Sequence, residues 1–155
     1  MQEDKKANGL KPQSYALVGC LLLPLGGISV IFALLGGLAL MYGMAGLLER
    51  AGLEHLKKRF AFGLLLAIVG GLWAKYVLHN YGFEVKRFLI TSFISGIGLY
   101  LQSEVYSALA YAQKKDLLAL GGVLLVVGSA TFWFYVGFLP LVFGVLMIAY
   151  SFWRW

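Results

Sequence analysis

Residues Tyr15 to Leu48 read YALVGCLLLPLGGISVIFALLGGLALMYGMAGLL, 34 residues without a charge. As a single α-helix this stretch would measure about 51 Å, against a membrane hydrocarbon core of about 30 Å. It must fold back, and helix continuation is weakest near its middle, at Pro24, Gly26 and Gly27. The closing stretch, Leu117 to Trp155, is also too long for one crossing and has a hinge at Gly137 and Pro140. Between them, Phe60 to Leu78 and Phe88 to Ala112 are each the length of one span. Two folded outer blocks and two single inner ones predict six helices.

Composition supports a lipid environment. The chain is 61% hydrophobic and 13% charged, more apolar than a soluble domain of 155 residues needs for one core. Period-two alternation is absent and the apolar runs exceed the roughly 10 residues of a barrel strand, so helices remain as the way to satisfy the backbone in lipid. The 20 glycines and 15% aromatic residues fit a membrane bundle, in which small residues allow close approach and rings sit at the interfaces. The expected fold is an all-α integral membrane bundle of about six short transmembrane helices in three hairpins. Residues 1–14 form a cytoplasmic tail and residues 15–155 a single transmembrane domain. Lys5, Lys6 and Lys11 before Tyr15 imitate a signal peptide, but no small-x-small cleavage site follows, so the segment is taken as retained.

The distribution of cations separates six helices from four. With six, Lys5, Lys6, Lys11, Arg50, Lys57, Lys58, Arg59, Lys114, Lys115 and Arg154 share one side, and only Lys75, Lys86 and Arg87 face the other. With four, the split is 7 to 6 and the bias disappears. Six helices place both termini in the cytoplasm of a multi-pass protein of the cell (inner) membrane. Each outward-running helix also carries a glycine, six intervening residues, then a second glycine followed by a small residue. These are Gly19 with Gly26, Gly63 with Gly70, and Gly121 with Gly128. Seven residues make two turns, so each pair marks a helix-packing face. The inward helices echo this with Tyr42-Gly43, Tyr106-Ser107 and Tyr150-Ser151, tyrosines read foremost as interfacial anchors.

The runs LLGGLALMYGMAGLLERAGLEHLKKRFAFGLLLAIVGG and EVYSALAYAQKKDLLALGGVLLVVGSATFWFYVGFLPLVFGVLMIAY resemble small prokaryotic membrane proteins of the domain of unknown function 996 family. The likeness runs from about Ala16 onward. It lies in a glycine-hinged hairpin, a short polar connector, an amphipathic turn and a closing hinged hairpin. The resemblance implies a multi-pass membrane protein, with no catalytic residues to carry over.

Glu104 is the one acid inside a predicted span, ten residues before Lys114 and so about 15 Å up the helix. An ionised carboxylate there costs on the order of 3 kcal/mol, so it must be paired, protonated or wetted. Tyr100, Ser107 and Tyr111 lie on the same helical face and offer hydroxyls. One reading makes this polar site part of a proton or cation path. The plainer one makes it interhelical glue or a partner contact, and it carries more weight because transport sites gather several polar groups.

The turn from Glu49 to Arg59 places Arg50, Lys57, Lys58 and Arg59 around Leu53 and Leu56, a basic patch for anionic lipid headgroups or an acidic partner. The same charges also serve as the orientation signal. Phe152 to Trp155 reads as an interfacial anchor, with Trp at headgroup level. Cys20 is alone, and His55 and His79 lie in polar connectors, so no metal or cofactor is expected. No nucleophile elbow, zinc-protease signature or phosphate loop is present, and the basic charge has a membrane explanation, so neither an enzyme nor a nucleic-acid binder is expected. The leading expectation is a structural or accessory subunit of a membrane assembly, or a homo-oligomer. The alternative is a small proton or cation channel or carrier using Glu104.

Overall fold

The computed structural model describes residues 11–82, 85–131 and 138–155, without the side chains of residues 85–88. Lys5, Lys6 and Gly137, and the side chains of Lys86 and Arg87, therefore lie outside the described residues. Those residues form an all-helical chain with six α-helices and no strands. They are α1 Pro12–Leu22, α2 Val30–Arg50, α3 Lys57–Tyr81, α4 Val85–Gln113, α5 Asp116–Thr131 and α6 Phe138–Trp153.

The first apolar stretch breaks where expected. A 3₁₀ turn, Leu23–Gly27, takes the chain out of α1, and Ser29 then starts α2 by accepting from the Ile31 amide at 3.4 Å. Pro12 opens α1, where a missing amide hydrogen costs nothing. Pro140 lies within α6, and Gly137, the other residue of the expected second hinge, lies outside the described residues. The α2 terminus is closed by paired bonds, Leu53 N to Leu48 O at 2.8 Å and Gly52 N to Glu49 O at 3.1 Å, around Gly52 at φ +70. The end of α4 has a similar turn, with Lys115 N to Ala110 O at 2.9 Å, and there Lys114 takes the left-handed conformation at φ 54.

Each helix packs most extensively on its chain neighbour, except that α2 meets α3 more thinly, and α6 returns against α1 to close a ring. The ring is packed tightly at one end. Tyr106 stands at its centre, 1% exposed, edge-on to Phe60 of α3 and Phe152 of α6. Met44, Leu47, Leu48, Leu109 and Leu118 belong to the same buried cluster. The interfacial role expected of the three tyrosines therefore fails for Tyr106, while Tyr42 and Tyr150 are exposed.

The predicted packing glycines meet their own hairpin partners. A Cβ on Gly19 would strike the Leu40 backbone, and one on Gly26 would meet Ala33 at 2.7 Å. Gly63 faces the Gly98 carbonyl at 2.8 Å, Gly70 faces Ser95, and Gly121 faces Gly144 at 3.0 Å and Ile148. Gly128 is buried on α5. The return helices also contribute glycines. Gly43 meets Ala16, and Gly122 seats α5 against Ser103 and Tyr106 of α4.

Two segments, Val30–Arg50 and Glu54–Tyr81, are long and apolar enough to cross a membrane. Helices α5 and α6 are apolar but shorter. Helix α1, at 11 residues, is about 16 Å long on its own and well short of a bilayer core of about 30 Å.

Candidate functional site

The charged residues gather at the tightly packed end. Lys11, Arg50, Lys57, Lys58, Arg59, Lys114, Lys115 and Arg154 all lie on helix ends or connectors there. Lys75 is near the opposite end of α3 and donates to the Ile28 carbonyl at 3.2 Å, tying α3 to the turn before α2.

Two sites that the sequence presents separately are one in the structure. Glu104 on α4 faces Arg59 at the start of α3, with Nη2 2.5 Å from Oε2. The contact is an ion pair, and Oε2 is closed to solvent. Tyr100, one turn back, presents its hydroxyl to the same carboxylate. Ser107 and Tyr111 make no hydrogen bond to it, and Tyr111 is 91% exposed. The base missing from the sequence reading of Glu104 is thus a member of the cationic turn, 45 residues away along the chain.

That turn is partly neutralised. Lys57 pairs with Glu49 at 3.1 Å and Arg59 with Glu104, whereas Arg50 and Lys58 have no ion pair among the described residues. Leu53 and Leu56 pack on the core. At the chain end Lys115 donates to the Arg154 carbonyl at 2.7 Å and lies over the Trp155 ring at 5.6 Å. Trp155 turns back onto Phe152, leaving Trp153, at 77% exposure, as the outward ring of the expected anchor.

Above Tyr106 the ring does not close. A cavity of about 590 Å³ is lined by all six helices. Its lining runs from Cys20, Gln102 and Tyr106 at the packed core to Gly27, Lys75 and Phe138 at the other end. Glu104 does not line it. A shallower groove of about 360 Å³ lies on the outer face between α4 and α5, lined by Leu89, Ser92, Phe93, Gly96, Ser129 and Ala130 among others. Among the described residues no group of His, Cys, Asp and Glu could hold a metal ion.

Sequence reasoning missed Gln102 and Tyr106 as cavity residues. The available signal was a polar Gln102-Ser103 pair on a helix whose neighbours are apolar. Comparison with protein-family models, with curated proteins and with solved structures yields no match for this chain.

Proposed function

We propose that the chain is a multi-pass protein of the cell (inner) membrane, its packed cationic end in the cytoplasm, serving as a structural or accessory subunit that self-associates or docks within a larger membrane assembly. Large apolar side chains are exposed on every helix, among them Leu21, Leu38, Phe62, Phe93, Val123 and Phe143. Such a belt supports lipid as the surrounding solvent. The concentration of cations at one end supports the orientation.

The groove between α4 and α5 carries the interaction reading. The six predicted packing glycines are used inside the chain, so they leave no free face for a partner. On the outer surface, however, Ser92 and Gly96 lie one turn apart beside Ser129 and Ala130. Small residues at that spacing let another helix approach closely in lipid. Gly96 has room for a side chain, its nearest neighbour being Ser129 Oγ at 3.6 Å. Gly96→Leu should therefore block docking and leave the fold intact.

Gentle extraction followed by native mass spectrometry tests the proposal. The expected species is larger than the 17.0 kDa chain and is reduced to the chain alone by Gly96→Leu. A wild-type monomer in native-lipid nanodiscs would refute it. The carrier reading gains no support from Glu104, which is paired at the perimeter and absent from the cavity lining.

A further inference from the structure

The central cavity combines two independent features, its shape and the chemistry of its floor. Its volume of about 590 Å³ lies within the roughly 300–1,000 Å³ typical of small-molecule sites. Along α6 it extends from Phe138 to Ile148, ten residues and so about 15 Å. That is half of a hydrocarbon core of about 30 Å, the reach of one leaflet. The walls are apolar, and α2 and α3, which pack more thinly on each other than the other neighbouring helices do, both line it.

The floor is polar and one-sided. Gln102 is 3% exposed, and its side-chain oxygen accepts from the Tyr106 hydroxyl at 3.5 Å. Gln102 lines the cavity, and its amide nitrogen donates no hydrogen bond among the described residues. The Cys20 thiol, a weak donor, lines the same end. A side-chain amide that lines a cavity with a free donor offers that donor to whatever enters. No cation lies at the floor to match an anion. Lys75, at the far end, is the one charged residue in the described lining and already bonds Ile28.

We propose that the cavity binds a neutral lipophilic molecule with a carbonyl head. The carbonyl accepts from the Gln102 amide, and an alkyl or prenyl tail runs along the apolar walls toward the Lys75 end. Two sources share this chemistry, a tailed quinone and a neutral acyl ester. The site does not require association between copies, so a monomer that binds the probe would refute the function proposed above and leave this inference standing.

The test is equilibrium dialysis of the purified full chain in mild detergent against a radiolabelled decyl-substituted benzoquinone and, separately, a medium-chain monoacylglycerol. Saturable binding of one molecule per chain is expected for at least one probe, and the stronger binder identifies the head. Gln102→Leu should weaken it about tenfold, the value of one hydrogen bond to a buried donor. Gly71→Phe should abolish it, because Gly71 lines the cavity and a Cβ there meets nothing within 4 Å. Lys75→Gln should leave it within about twofold, since a neutral ligand gains little from a distant charge.

Elution volume and helical circular dichroism verify folding, and if Gln102→Leu does not fold, the Gly71→Phe result decides. Saturable binding of neither probe would overturn the proposal. So would binding that Gln102→Leu or Gly71→Phe leaves unchanged. Palmitate binding that depends on Lys75 and not on Gln102 would also overturn it, indicating an anionic lipid seated the other way up.

Discussion

Adding one methyl group at each of two glycines tests whether backbone contact holds the α3–α4 hairpin. In Gly98→Ala the new Cβ would lie 2.5 Å from Ala67 N and 2.6 Å from Gly63 O, both backbone atoms that no rotamer can move. Ordinary contact begins at 3.4 Å, so the helices must part by about 0.9 Å. A gap of roughly 0.5–1 Å forfeits a quarter to a half of each lost dispersion contact, and overpacking of this kind costs roughly 1–3 kcal/mol. Gly71→Ala in α3 is the control, because its Cβ meets nothing within 4 Å. Both substitutions gain the same helix propensity, about 1 kcal/mol over glycine, so that contribution cancels between them. The difference left is the overpacking alone. At about 2–4 °C per kcal/mol for a chain of this size, Gly98→Ala should melt roughly 2–12 °C below Gly71→Ala. The assay is thermal unfolding of both variants in nanodiscs, followed by circular dichroism. Equal melting temperatures, or a more stable Gly98→Ala, would refute backbone-to-backbone packing as the basis of this hairpin.

Lys114→Gly should stabilise the chain by up to about 1 kcal/mol, since it relieves the left-handed backbone at φ 54, while Lys114→Val should lower the melting temperature. Tyr106→Ala should cost roughly 3–5 kcal/mol by emptying the centre of the core, whereas Tyr106→Phe should cost under about 1 kcal/mol because the hydroxyl bond is long at 3.5 Å; thermal melts compare the two. Glu104→Gln should change stability by less than about 1 kcal/mol, because the Arg59 and Glu104 side chains are 48% and 33% exposed. In proteoliposomes the wild-type protein should show no proton flux that this substitution removes, and a flux lost with Glu104→Gln would restore the carrier reading.

The legible parts of the fold were those set by length and by breaks. Thirty-four apolar residues exceed one crossing, and Pro24, Gly26 and Gly27 offer the place to turn, so the α1–α2 hairpin could be read directly. The glycine spacing identified Gly19, Gly63 and Gly121 as close-contact positions because the period of two turns repeats in each outward helix. Tyr106 was misplaced. A tyrosine near a helix end satisfies the rule for interfacial anchors whether it points into lipid or into the ring, and only the neighbouring Phe60 and Phe152 make it central.

The sequence by itself determined that the described chain is helical, that its first apolar stretch breaks between Leu23 and Gly27, and that most of its described cations collect at one end. These follow from local chemistry: backbone hydrogen bonding, the disruption caused by proline and glycine, and the placement of charge along the chain. Which face of each helix is inside was left to the tertiary structure. Large apolar side chains lie both in the core and exposed on every helix, so hydropathy has little contrast from which to read an orientation. The pairing of Arg59 with Glu104, the place of Gln102 in the cavity lining and the cavity above Tyr106 all depend on that orientation, and they emerge only when six helices close into a ring.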